Sequence, residues 1–273
     1  RHIFIMNHYP SNVKEKLNSI ILSMAEHHWL FSKNPGHDFT RQHLGKLSFY
    51  DTMRLIISMG KGSTNDEIMD YFDLDPDLIP SQSAFCQRRR QISLSAFEYF
   101  FRNSHLLTDK FKDHCILACD GCHVVYATNS NIIEDYNKPR LIDYKGYNHM
   151  HLNGFVDVIS KAFLDVVIQP GQQPDEREAL HSMLDHFTPD DPQKYIITAD
   201  RGYESYDLLF HCEFKNLGYV FRVKSPSSPK SILSYYASEF PDDLEEFDVT
   251  IKRFFTDKAT NIMKSQSDVY RYI

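Results

Sequence analysis

The sequence predicts a mixed α/β chain in which a helical N-terminal region precedes three meandering strands and then alternating helices and strands. Three observations carry this reading. Apolar residues recur at helical spacing through the first hundred positions, strand-like runs begin near residue 113, and helix and strand signals alternate after residue 174. A length of 273 residues suits two domains.

In the N-terminal region Val13, Leu17, Ile20, Ile21 and Met24 share a helical face, as do Phe49, Met53, Ile56 and Ile57. Gly60-Lys61-Gly62 then breaks the pattern. Thr64 and Glu67 have the spacing of a capping box for a short helix through Ile68 and Phe72. After a turn rich in Asp and Pro, Pro80 suits the start of a helix carrying Ser81, Gln82, Ser83, Gln87, Arg88, Arg89 and Arg90. Two short helices joined by a turn, the second polar and basic, suit a helix-turn-helix. Gln87, Arg88, Arg89 and Arg90 are then candidate contacts to phosphates and base edges. The competing explanation is a solvated helix face in a small bundle.

From residue 113 the pattern changes. Cys115 to Ala127 is an apolar, β-rich run interrupted by Asp120-Gly121, Tyr147 to Ile159 alternates with period two, and Ala162 to Ile168 follows a short turn. An amphipathic helix opens at Pro174, with Ala179, Leu180, Met183, Leu184 and Phe187 on one face. Tyr195 to Ala199 is a strand ending at Asp200. A second helix carries Tyr206, Leu209, Phe210, Phe214 and Leu217 and stops at Gly218, and Tyr219 to Lys224 is the fifth strand. A doubly wound nucleotide-binding sheet alternates from its first strand. Three strands and then helix, strand, helix, strand is instead the order of the RNase H-like fold.

Composition narrows the class. Nothing approaches the roughly 18 to 20 consecutive apolar residues of a membrane span, and no signal peptide opens the chain. The first residue is Arg1 rather than Met, which reads as a piece of something longer. Five cysteines, an odd count, do not form a disulfide framework and point to a reducing cytoplasm. The net charge of −7 argues on its face against nucleic acid. Its distribution matters more: Pro80 to Lys112 holds six Lys or Arg against two acids, while acids concentrate at Asp66 to Asp77 and Asp242 to Asp248.

The chemistry centres on two aspartates. Asp120 interrupts a strand made of Ile116, Leu117, Val124 and Val125, and an acid in a central strand is costly unless paired or bound to a cation. Asp200 ends the fourth strand. First and fourth strands are neighbours in an RNase H-like sheet, which would bring the two carboxylates together across 79 intervening residues. Two adjacent carboxylates repel unless a divalent cation neutralises them, and hard oxygen ligands suit Mg²⁺ or Mn²⁺. A site of this kind supports two-metal phosphodiester chemistry. Taken singly, a solvent-facing strand aspartate and a turn or N-cap aspartate explain the same residues.

Leu117-Ala118-Cys119-Asp120-Gly121 resembles the first-aspartate strand of DDE transposases of bacterial insertion sequences. Thr198-Ala199-Asp200-Arg201-Gly202-Tyr203-Glu204-Ser205 resembles their second-aspartate motif, and Tyr219-Val220-Phe221-Arg222-Val223-Lys224 the basic strand after it. Gly146 to Asp157 and Asp175-Glu176-Arg177 are similar to intervening segments of that family. The resemblance covers about residues 40 to 225. It implies Asp120 and Asp200 as catalytic metal ligands, and Arg201, Arg222 and Lys224 as contacts to DNA phosphates. It also implies a homodimer acting on transposon terminal inverted repeats and target DNA, in a bacterial cytoplasm near the nucleoid. The branch it most resembles carries a third acid in a Tyr-x2-Arg-x3-Glu-x6-Lys signature, which this sequence lacks; Glu239, Glu245 and Glu246 do not have the spacing. The expected organisation is therefore a helical DNA-binding domain at 1–110, an RNase H-like core at 111–225, and the incomplete start of a β-rich insertion at 226–273, cut before the third acid. A catalytically incomplete remnant that only binds DNA is the alternative.

Two other constellations compete. Cys115-x3-Cys119-x2-Cys122 has the spacing of an iron–sulfur motif in radical enzymes, but along an extended strand Cys119 and Cys122 face opposite sides. His149 and His151 share a strand face and could ligate a metal, though such a pair is more often a half-buried polar strand face.

Overall fold

The computed structural model describes residues 9–40, 46–75, 77–104, 113–138, 145–240 and 250. The chain divides into two compact units, residues 1–106 and 107–273.

The first unit is helical among its described residues: α1 (Tyr9–Glu26), α2 (Phe49–Ser58), α3 (Thr64–Tyr71), α4 (Gln82–Gln91) and α5 (Leu94–Asn103). Ile21 and Met24 of α1 pack with Phe49 and Met53 of α2, Ala96 of α5, and Phe31, Phe39 and Ile92. Leu47, Leu55, Ile68 and Phe85 form a second cluster, and Ile56 touches both.

The helix starts differ from expectation in register. Ser63, not Thr64, caps α3: its extended backbone lets the side chain accept from the Asp66 N–H. Glu67 instead turns back to accept the Gly60 and Gly62 N–H groups at 2.9 and 2.8 Å. Pro80 is not the first helical residue either. Ser81 caps α4 by accepting from the Ala84 N–H at 3.2 Å, and buried Pro80 precedes the cap. The connection between α3 and α4 runs over residues 72–81, with Asp73 and Leu74 in the left-handed region at φ 51° and 62°. That is longer than the three- or four-residue turn of a helix-turn-helix.

The second unit holds a mixed sheet of β1 (Cys115–Tyr126), β2 (Tyr136–Asn137), β3 (Tyr147–Asp157), β4 (Phe163–Pro170), β5 (Tyr195–Ala199) and β6 (Gly218–Phe221). The order is β2-β3-β1-β5-β6, with β4 also paired to β3. Helices α6 (Glu176–His186) and α7 (Tyr206–Phe214) supply Leu180, Met183, Leu184, Leu208 and Cys212 to one core with Leu117, Cys119, Phe155 and Ile197. β1 pairs antiparallel with β3 and parallel with β5, and β5 pairs parallel with β6. A mixed sheet with its first strand central, beside the strand that follows α6, is consistent with the RNase H-like expectation.

Three local expectations are corrected here. Asp120-Gly121 does not interrupt β1: its ladder with β3 runs unbroken from Leu117 to Tyr126. Pro174 does not open α6, which starts at Glu176 behind an Asp175 cap accepting from the Arg177 and Glu178 N–H groups. Gly218 does not end α7; Asn216 takes the left-handed position at φ 56°, and Gly218 begins β6. Asparagine tolerates that conformation because its short polar side chain can bond locally.

Leu117 is fully buried between the sheet and α6 and α7. Leu117→Ala is expected to lower unfolding free energy by about 2–5 kcal/mol, read as a reduced urea midpoint at unchanged slope.

Candidate functional site

Along β1, Cys115, Leu117 and Cys119 are buried and Asp120 is exposed. The parallel ladder with β5 ends at the pair Cys119–Ala199. Asp120 and Asp200 are the next residues of the two strands, so the register sets them side by side. Each carboxylate is oriented by a backbone amide close ahead of it: Gly121 N–H donates to Asp120 Oδ1 at 2.9 Å, and Gly202 N–H to Asp200 Oδ1 at 2.6 Å.

The turn after β5 is pinned from several directions. Tyr203 N–H donates to the Asp200 carbonyl at 3.1 Å. Arg177 Nε, from α6, donates to the Gly202 carbonyl at 3.2 Å, and Lys224 Nζ to the Arg201 carbonyl at 3.1 Å. Glu204, whose side chain is fully buried, accepts from Lys224 twice, at Nζ (2.6 Å) and at the backbone N–H (2.8 Å). Lys224 thus serves the turn's own architecture, whereas Arg201 and Arg222 are exposed.

A third carboxylate reaches this place from α6, and the sequence reading did not single it out for chemistry. A Cβ built on Gly121 would lie 2.9 Å from Glu176 Oε1, and one on Gly202 would lie 3.1 Å from Glu176 Oε2 and 3.0 Å from Asp200 Oδ1. His151 Nε2 is 3.5 Å from Glu176 Oε1. Burial lowers the His151 imidazole below its ordinary value, and Glu176 opposes that shift. Beneath these groups, burial pushes the Cys119 thiol up to about 12 and raises the Tyr203 phenol as well. Tyr203 is 1% exposed, and its hydroxyl faces the Cys119 thiol, a weak hydrogen-bond partner.

Among the described residues, no three His, Cys, Asp or Glu side chains stand close enough to enclose a metal ion. The donor chemistry nonetheless suits a hard divalent cation: carboxylate oxygens at Asp120 and Asp200, with no side chain at Gly121 or Gly202 beside them. The cysteine constellation is dispersed, whereas the histidines cluster. Cys115 and Cys119 are buried while Cys122 is exposed, so the three thiols do not face one point. His149 and His151 are both buried, and the His123 ring meets each edge to face at 4.7 and 4.8 Å.

In the helical unit Gln87, Arg89 and Arg90 are exposed on α4. Arg88 is half-buried, with its guanidinium 5.2 Å from the Phe39 ring centroid, in the field of Asp38, and bonded to Gln91 Oε1 at 3.0 Å. Glu239 ends the short 3-10 helix Ser234–Glu239, and the acids at 242–248 lie outside the described residues.

Residues 112–271 match the family model of the transposase DDE domain. The fold is a mixed α/β domain, and the match spans more than half of the sequence, so the chain belongs to the transposase DDE domain family. No curated protein matches it. No described helix is long and apolar enough to cross a membrane.

Two outcomes follow. Glu204→Ala removes the buried partner of Lys224 and is expected to cost about 2–3 kcal/mol, measured by chemical denaturation. Native alkylation at pH 8 followed by mass spectrometry should label Cys122 readily and leave Cys119 and Cys212, both with pKa near 12, unmodified.

Proposed function

We propose that this chain is a transposase of a bacterial insertion sequence that cleaves transposon ends and joins the freed 3′-hydroxyl to target DNA. Asp120 and Asp200 hold a divalent cation, Mg²⁺ or Mn²⁺. The observation that carries the reading is the register of β1 against β5, which makes these aspartates neighbours inside a transposase DDE domain. A cation bound there supplies charge neutralisation at the phosphoryl group and an activated nucleophile.

The chain's own residues do the rest. Gly121 and Gly202 amides hold one oxygen of each carboxylate, which fixes the direction of the other. Phosphoryl transfer depends on positioning and electrostatics more than on covalent catalysis, and the Arg177, Lys224 and Glu204 contacts give the Asp200 turn that rigidity. Exposed Arg201 and Arg222 suit phosphate contact, with Gln87, Arg89 and Arg90 of α4 as a second basic surface. Lys224 and Arg88 contribute less, because their donors are already engaged within the fold. Action as a homodimer on paired ends belongs to the same reading.

The test is nicking of supercoiled plasmid in Mn²⁺ by the parent, Asp120→Asn and Asp200→Asn. Outer partners of metal ligands are worth about 10–100-fold, so loss of a ligand itself should cost more than about 100-fold. Cleavage that persists in both variants contradicts the assignment. DNA retention without cleavage in the parent would match a remnant that only binds DNA.

A further inference from the structure

We propose that His181 and His211 share one extra proton between Asp207 and Asp185, so that a proton-dependent clamp joins α6 to α7. Each helix carries a histidine and an aspartate at i, i+4 spacing: His181 with Asp185 on α6, Asp207 with His211 on α7. That spacing sets each pair on one helix face. Where the faces meet, His181 Nε2 lies 2.5 Å from Asp207 Oδ2, and the two Nδ1 atoms lie 3.0 Å apart. His211 Nε2 lies 3.4 Å from Asp185 Oδ1. The His211 and Asp207 side chains are 1% and 5% exposed, so bulk water does not complete the arrangement.

Three contacts in a row need three protons. A carboxylate has none to give, so each Nε2 must carry a hydrogen. The Nδ1 pair must share one as well, because two bare lone pairs at that distance repel. Two neutral imidazoles bring only two protons. The third is present when one ring is an imidazolium, and carboxylates on both sides favour that cation. Asp207 strengthens the demand. Its carboxylate is buried, and its Oδ1 has no hydrogen-bond partner among the described residues, so its charge is compensated through His181.

Other charged groups on and around these helices are directed at neighbours of their own. Lys215 Nζ donates to the Leu184 and Asp185 carbonyls, Arg177 Nε to the Gly202 carbonyl, and the Tyr219 hydroxyl to Glu213. From the strands, Asp165 pairs with His186 at 3.1 Å, and Asp157 accepts the Ile159 and Ser160 N–H groups. Glu176 stands beside His151, Glu204 is bound to Lys224, and Glu178 is exposed. The Cys212 thiol, next to His211, is pushed up to about 12 by burial and stays neutral. Loss of the shared proton therefore empties one of the three places and weakens the α6–α7 contact. Arg177 of α6 pins the turn after Asp200, and α7 follows that turn, so the clamp ties its rigidity to pH without any bound ion.

The folded protein then binds one proton more than the unfolded chain, whose histidines are largely neutral above about pH 6.5. Stability falls as pH rises. The discriminating variant is Asp185→Asn, whose amide can donate to an unprotonated Nε2 and fill the third place without an extra proton. Histidine ¹⁵N NMR of the full chain at pH 7.5, assigned with His181→Gln and His211→Gln, counts the ring protons. Three are expected on the parent pair, at both Nε2 and one Nδ1, and two in Asp185→Asn. Urea unfolding from pH 6 to 9 is the second readout, with circular dichroism confirming each fold and Glu178→Gln as the control. One proton is worth up to about tenfold in the folding equilibrium per pH unit. Over this range the parent and Glu178→Gln should lose at least about tenfold more than Asp185→Asn. Two protons on the parent rings at pH 7.5, or the same pH profile in the parent and Asp185→Asn, overturns the proposal.

Discussion

The parallel ladder between β1 and β5 is the constraint on which the rest of the site depends. Parallel neighbours far apart in sequence require a crossover, and α6 provides it, packing Leu180, Met183 and Leu184 against the sheet before the chain returns as β5. The ladder ends at Cys119–Ala199, and both segments place an aspartate at the next position. A one-residue slip would turn Leu117 and Ile197 out of the core, so burial on that face holds the register and therefore the carboxylates.

Around that ladder the structure accommodates acids gathered where two central strands cease to pair. Backbone amides of Gly121 and Gly202 solvate the two aspartates, and the absence of side chains at both glycines leaves room for Glu176. The turn after Asp200 is held to α6 through Arg177 and to the segment after β6 through the buried Glu204–Lys224 pair. One residue run, Asp200 to Glu204, therefore contains the proposed ligand Asp200, the side-chain-free Gly202, the buried Tyr203 and the anchor Glu204.

Much of the sheet was legible because its signals are local. β5 is found at its predicted bounds, Tyr195–Ala199, since a short apolar run flanked by polar residues leaves little freedom. The helix starts at Ser63 and Ser81 were harder to place, because several adjacent residues could cap and the choice depends on backbone angles the sequence does not print. The continuity of β1 through Asp120-Gly121 was hidden for a different reason: the strand is held there by its partner β3, a non-local contact. Glu176 escaped notice because nothing in its own segment marks it. Only the fold brings α6's first residue over Gly121 and Gly202, although an acid in the first turn of the helix after the third and fourth strands was a usable clue. Lys224 and Arg88 show the converse, since basic side chains that look available in sequence are engaged inside the fold.

The central claim is that Asp120 and Asp200 serve one shared ion. A double-mutant cycle on Mn²⁺ affinity tests this most directly, comparing Asp120→Asn, Asp200→Asn and the double variant with the parent. If the two aspartates hold the same ion, either single substitution removes most of the binding and the double variant loses little more, a strongly non-additive result. Additive losses, or two separable binding events each removed by one substitution, would mean that the aspartates act independently and that the register of β1 and β5 does not build a common site.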